Sequence, residues 1–357
     1  MKKNKFLFCI GLLLTVATIV NAQSVTWISS TEGNVWQKSK VKLQSKSEQN
    51  PVLQVDGTEN GVAFKNWGTT FNELCWDALG LLTRTEQDEI LYNIFSPQGD
   101  LRITRGRISM GANDYARSWY SCDEVEGDFE LRYFNINRDK QTIIPFIRAA
   151  QKYNPNLTFW ISPWCPPSWM KINGDYPVLS SPFNSLSEKQ NYLLYGATGG
   201  QVDENEMKLT GARDGVFPRQ LATTDFMIQD PRYLQTYADY FCRFIDAYKE
   251  QGIPIDMIMY QNEAYSYTPY PGCAWTAEGT VRFNVEYLAP TLKKHHPEVA
   301  LYLGTFNTNR YDYVDKILSD PRMPQSVQGV GFQWEGGQIL PKIRAKYPQY
   351  KYMQTES

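Results

Sequence analysis

Two glutamates carry the strongest chemical signal in the chain. Glu263 closes the run Ile255-Asp256-Met257-Ile258-Met259-Tyr260-Gln261-Asn262-Glu263, and Glu356 closes Tyr350-Lys351-Tyr352-Met353-Gln354-Thr355-Glu356. Each stands where a short apolar run, of strand rather than helix length, gives way to polar residues. Carboxylates at the C-terminal ends of buried parallel strands are where barrel enzymes place the groups that touch substrate. Two of them facing each other across a barrel mouth suit retaining glycoside hydrolysis. That reaction needs one nucleophilic carboxylate and one acid/base, with the two carboxyls roughly 5–5.5 Å apart. Glu263 is then expected as the acid/base and Glu356 as the nucleophile. Asn262, adjacent to Glu263, is expected to bond a sugar 2-hydroxyl.

Other chemistries find little footing. The two histidines, His295 and His296, sit in Lys293-Lys294-His295-His296-Pro297, the end of a helix. Neither a metal site nor a Ser-His-Asp hydrolase is expected from them, and no G-x-S-x-G occurs. Gly196-Ala197-Thr198-Gly199-Gly200 lacks the GK[ST] of a phosphate loop. No cofactor is expected.

The elements that must position the glutamates alternate along the chain. Residues 62–71 read as a strand, and Thr83-x-x-Glu86 as a capping box opening a helix over Ile90, Leu91, Ile94 and Phe95. Further strands are predicted at 101–108, 157–162, 255–260, 299–303, 327–334 and 350–355. Helices are predicted near 141–153, 233–245, 278–294, 314–318 and 339–346. Pro145 is tolerable in the first turn of its helix. Seven β/α units predict a parallel (β/α)8 barrel whose eighth strand is missing, so the chain is expected to be C-terminally truncated and, for that reason, weakly active. Residues 172–228 form a long polar insertion of the kind that walls a site.

The N-terminus adds an address. Lys2, Lys3 and Lys5 precede an apolar run over 6–20, and Val20-Asn21-Ala22 offers small residues for cleavage. This predicts a signal peptide over 1–22 and an exported protein (periplasmic, cell-surface or extracellular). No membrane span is expected. Residues 23–60 read as short antiparallel strands outside the main domain, and 61–357 as the barrel. Losing 1–22 removes three lysines and no acid, making a formal charge of −2 three units more negative. Nucleic-acid binding is therefore not expected. After Cys9, the five cysteines Cys75, Cys122, Cys165, Cys242 and Cys273 give no disulfide framework and leave one disulfide open. Aromatics are abundant (Trp 10, Tyr 23, Phe 17), and tryptophans beside proline at strand ends point to sugar stacking.

Trp160-Ile161-Ser162-Pro163-Trp164-Cys165-Pro166-Pro167-Ser168-Trp169-Met170-Lys171, followed by Gln261-Asn262-Glu263, resembles the glucosylceramidase-type glycoside hydrolases of family 30. Arg107-Ile108-Ser109-Met110-Gly111-Ala112-Asn113-Asp114-Tyr115 is similar to that family's second-strand motif, and Thr355-Glu356 to its nucleophile strand. The resemblance runs from about Phe64 onward. It implies a retaining β-glycosidase on a barrel, with a β-sandwich built from both chain ends. Glu263 and Glu356 resemble the acid/base and nucleophile, and Asn262 the 2-hydroxyl contact. Arg107 would support the nucleophile, since a guanidinium favours one ionised carboxylate beside a protonated partner; its bland reading is a structural ion pair. Asp114 resembles a sugar-hydroxyl ligand, or a loop cap, and Trp164 and Trp334 resemble stacking aromatics, or core. Trp169 reads as packing.

Two departures stand out. Ala264 replaces the usual proline after the acid/base, and Gln333-Trp334-Glu335 replaces a His-Trp-Tyr type segment. Glu335 is expected to face solvent or substrate. The implied partner is a β-linked oligo- or polysaccharide, with β-1,6-glucan ahead of glucosylceramide and xylan; oligomeric state is left open. The competing reading is an inactive carbohydrate-binding relative.

Overall fold

The computed structural model describes residues 24–42, 64, 66–182, 184, 186 and 225–357. The expected signal peptide, the strands expected between 43 and 60, and the middle of the 172–228 insertion with Gly199-Gly200 lie outside these residues. The chain divides into two units, with the division between Phe64 and Lys65. In the first, β1 (Ser24–Thr31) pairs antiparallel with β2 (Asn34–Lys42), from Ser24 opposite Lys42 to Thr31 opposite Asn34. Gly33 turns the hairpin at a φ of +84°, a left-handed conformation that costs glycine little.

The second unit is a curled sheet of seven parallel strands with helices between them. β3 (Gly68–Phe71), β4 (Arg105–Ser109), β5 (Thr158–Ser162), β6 (Ile255–Met259), β7 (Ala300–Phe306), β8 (Gly329–Gln333) and β9 (Lys351–Glu356) pair in sequence order. That order is the winding of a (β/α)8 barrel with seven of its units, as the alternation of the sequence predicts. Period-two patterning decides what faces where. Ile108, Phe159 and Ile161 point to the helices and join the main core, whereas Trp160, Met257 and Met259 form a smaller cluster within the barrel. Arg107 sits opposite Trp160 in the β4–β5 register. At the far end of the same face, Arg105 grips Asp256 and the Thr158 hydroxyl.

The helices follow their local signals. α1 (Glu73–Gly80) is capped by Asn72, whose side chain accepts from the Cys75 N–H. α2 (Arg84–Phe95) carries the predicted capping box, and the Thr83 N–H donates to Glu86 at 2.8 Å. α3 (Ile143–Gln151) holds Pro145 in its first turn. α4 (Pro231–Glu250) opens with proline behind an Asp230 cap and buries Leu234, Tyr237, Phe241, Phe244 and Ile245. α5 (Ala277–Arg282) passes through a π-turn over Phe283–Leu288 into α6 (Ala289–His295). The wide turn precedes Pro290, which has no N–H to bond the Glu286 carbonyl. α7 (Tyr311–Leu318), α8 (Met323–Ser326) and α9 (Leu340–Lys346) complete the set. α1 and α8 were not expected, being too short for a periodic apolar stripe. The expected 101–108 strand starts only at Arg105, and Leu101 is exposed. No helix of the described residues is long and apolar enough to cross a membrane.

Candidate active site

Six strands deliver side chains to one place at the C-terminal mouth. Arg107 lies on β4 with 2 % of its surface exposed. Its Nη1 donates to Glu356 Oε1 at 2.5 Å, Nη2 to Asn262 Oδ1 at 2.7 Å and Nε to Ser162 Oγ at 3.0 Å. The guanidinium carbon lies 4.8 Å from the Trp160 ring centroid and 4.2 Å from that of Trp164, a double cation–π contact. A planar fork with several donors fits this slot; an ammonium would not. Burial pulls the Arg107 pKa down, and the charge of Glu356 opposes it.

Beyond β6 the chain turns so that Gln261, Asn262 and Glu263 face different ways. Gln261 is fully buried; its Nε2 donates to the Trp164 carbonyl at 2.6 Å and its Oε1 accepts from Trp275 Nε1 at 3.3 Å. Asn262 Oδ1 accepts from Arg107, from Thr305 Oγ1 at 3.0 Å and from Gln333 Nε2 at 3.4 Å. Its Nδ2 makes no hydrogen bond within the described residues and remains a donor for something else. Glu263 takes a φ of +48°, and its N–H donates to Thr305 Oγ1 at 3.2 Å. A left-handed non-glycine residue is the local strain seen at working sites.

Gln333, at the end of β8, ties the glutamates together. Its Nε2 donates to Glu263 Oε1 at 3.1 Å and to Glu356 Oε2 at 2.9 Å, while its Oε1 accepts from Thr355 Oγ1 at 2.8 Å. Two oxygens bound to one nitrogen are no more than about 6 Å apart, which matches the narrow carboxyl spacing of retaining glycosidases rather than the wider inverting one. Burial raises the Glu263 pKa, and the negative charge of Glu356 adds to that. Hydrogen bonds from Gln333 and Ser266 and the charge of Arg107 pull the other way. Glu263 thus holds its proton to higher pH than a free glutamate.

The remaining expected residues fall in three places. Trp334 leaves the strand at a φ of +48°, is 58 % exposed, and donates from Nε1 to Glu356 Oε2 at 3.1 Å. Asp114 lies exposed at the rim, where partial desolvation and the charge of Glu356 raise its pKa. Trp164 is 4 % exposed, so its role as a sugar-stacking face gives way to packing beneath the guanidinium. Glu335 is exposed beside the site, and Trp169 is buried with Nε1 on the Asp123 carbonyl at 3.0 Å. Sequence reasoning missed Gln333, Thr305 and Tyr270. Burial, followed by the charges of Glu263, Asp114 and Glu356, pushes the Tyr270 phenol up. Only Gln333 carried a signal, as a departure from the resembled pattern.

Residues 64–181 match the glycosyl hydrolase family 30 TIM-barrel domain. A Caenorhabditis elegans protein bearing a glucosylceramidase name is 27 % identical over 346 residues, covering 92 % of this chain and 56 % of its own length. The endo-1,6-β-D-glucanase neg1 of Aspergillus fumigatus is 25 % identical over 279 residues, covering 76 % of this chain and 50 % of its own. The chain thus spans little more than half the length of these curated relatives. Among solved structures, the endo-β1,6-glucanase BT3312 superposes with a TM-score of 0.67 at 21 % identity, over 90 % of this chain and 63 % of that one. SrfJ from Salmonella typhimurium gives 0.63 at 18 % identity, over 89 % and 62 %. The domain match over the first three barrel strands, the alignment of relatives along most of the sequence and the shared barrel winding make this chain similar to glycosyl hydrolase family 30.

Proposed function

We propose that the chain is the catalytic barrel of an exported retaining β-glycosidase that cleaves β-glucosidic bonds, with β-1,6-glucan as its substrate. The observation that carries this reading is the single Gln333 nitrogen held between Glu263 and Glu356, with Arg107 paired to Glu356 alone. Such an asymmetric pair divides the labour. Glu356 attacks the anomeric carbon while protonated Glu263 gives its proton to the leaving oxygen, so the glycosidic bond breaks as the glycosyl–Glu356 ester forms. Glu263, now a carboxylate, removes a proton from water; that water displaces Glu356 from the anomeric carbon, and the free enzyme returns with retained configuration. Asn262 Nδ2, which makes no hydrogen bond among the described residues, donates to the 2-hydroxyl oxygen. Trp334 offers a half-exposed indole to a sugar face. The apolar run behind Lys2, Lys3 and Lys5 supports export. The names of the glucanase relatives support the β-1,6 linkage.

A panel of β-1,6-glucan, other β-glucans, xylan, a glucosylceramide and a chromogenic β-glucoside, with product anomers followed by NMR, tests the proposal. We expect turnover with retention on β-1,6-glucan and a loss of at least about a thousandfold in Glu263→Gln and Glu356→Gln on unactivated substrate. Unchanged turnover in either variant, or inverted product, overturns it. Sugar binding without turnover in the unmodified protein would favour the carbohydrate-binding reading.

A further inference from the structure

We propose that Gln333 is a positioning residue that holds the glutamate pair at its working separation. The inference rests on the glycosidase reading above. Three acceptors surround Gln333 Nε2: Glu356 Oε2 at 2.9 Å, Glu263 Oε1 at 3.1 Å and Asn262 Oδ1 at 3.4 Å. Only the amino end of the carboxamide fits there, because its oxygen would face three oxygens. The other end is pinned by Thr355 Oγ1 donating to Oε1 at 2.8 Å. Gln333 is 1 % exposed, so its orientation is set by partners rather than by water.

A carboxamide suits the task in a way that histidine does not. Its nitrogen offers two hydrogens at once, one to each carboxylate, at any pH. An imidazole nitrogen offers one hydrogen and gains a charge as it titrates. In this chain the residue between the two carboxylates is uncharged, and among the described residues the titratable and charged groups that act on them are Arg107 from β4, Asp114 from the loop after β4, and Tyr270 from the loop after β6. Gln333 also opposes the upward shift of the Glu263 pKa that burial produces. Removing its N–H groups therefore moves Glu263 further up, and the alkaline limb of the rate profile with it.

Gln333→Met keeps the volume and removes both donors. We expect kcat to fall about tenfold to a hundredfold with KM little changed, as befits lost charge-assisted hydrogen bonds at the reacting groups. The alkaline limb should rise by about one pH unit. Thr355→Val frees the amide to turn and should reproduce part of both effects, and Thr355→Ser should restore them. Carboxyl-carbon NMR titration of Glu263 in the unmodified protein and in Gln333→Met gives a readout that does not need turnover. An upward move of its midpoint supports the proposal. A lowered melting temperature with the Glu263 midpoint and the alkaline limb both unmoved overturns it, since that is a packing role alone. If the unmodified protein turns over no substrate, the functional reading fails, while the NMR titration still decides the role of Gln333.

Discussion

Replacing Arg107 with methionine tests how much of the site rests on one buried cation. The change keeps most of the volume and deletes the bonds to Glu356 Oε1 at 2.5 Å, Asn262 Oδ1 at 2.7 Å and Ser162 Oγ at 3.0 Å. Breaking a buried ion pair costs about 3–5 kcal/mol. The Glu356 side chain is 28 % exposed, so water recovers part, leaving about 2–3 kcal/mol. Asn262 retains Thr305 and Gln333 as donors, so the two neutral acceptors add about 1 kcal/mol together. The cation–π sandwich with Trp160 and Trp164 adds about 1 kcal/mol, partly returned by the thioether. The expected loss is about 4 kcal/mol, which moves the urea midpoint by about 1–2 M for slopes of about 2–3 kcal/mol/M. Equilibrium unfolding followed by tryptophan fluorescence reads it directly, because two indoles flank the guanidinium. Arg107→Lys should recover about half, as it keeps the charge but not the fork. Arg107 also opposes the rise of the Glu263 pKa, so the alkaline limb of any residual activity should move up in the methionine variant. A stability loss below about 1 kcal/mol would refute this account of the ion pair.

Asp139 is wholly buried, accepts from the Tyr120 and Tyr248 hydroxyls at 2.6 Å each, and is pushed by burial to a pKa of about 6. A raised carboxyl pKa means the folded state binds the proton better. Its contribution is therefore full below pH about 4 and lost as pH rises to about 6, worth about 3 kcal/mol. Asp139→Asn should flatten that part of the stability–pH curve, and an unchanged curve would contradict the assignment. Trp334→Ala should raise KM about tenfold while stability stays within about 0.5 kcal/mol, because the indole is mostly exposed; a KM equal to that of the unmodified protein would remove Trp334 from the sugar site. Lys171 is buried and donates from Nζ to the carbonyls of Tyr176 at 2.7 Å, Pro177 at 3.2 Å and Gly272 at 2.8 Å. Lys171→Met should cost about 2–4 kcal/mol and speed hydrogen exchange over 172–177, and exchange at the original rate would show that this tie is dispensable.

Much of the barrel is readable along the chain because burial leaves a local mark. Five- and six-residue apolar runs became β5, β6 and β8, the Thr83 and Glu86 pair opened α2 as a capping box, and the aromatic stripe at 233–245 became the buried face of α4. The polar Gln261-Asn262-Glu263 step at the end of an apolar strand marked a place for chemistry for the same reason. Short or polar elements left no such mark. α1 is eight residues long with only Glu73 buried, and the strand expected from residue 101 begins four residues later.

Partnership was settled only by the fold. Arg107 bonds residues 55, 155 and 249 positions away, and no periodicity reports which distant strand a side chain will face. The same holds for Gln333, whose two carboxylates lie 70 residues before and 23 after it. Trp164 read equally as a stacking aromatic or as core, and only the fold placed a guanidinium on its face. Residue type and spacing thus determined which groups can react and roughly where strands end. Which of them pair, and which only support the others, depended on strand register, because hydrogen bonds and ion pairs act over about 3–4 Å and only the curled sheet brings remote strand ends within that range.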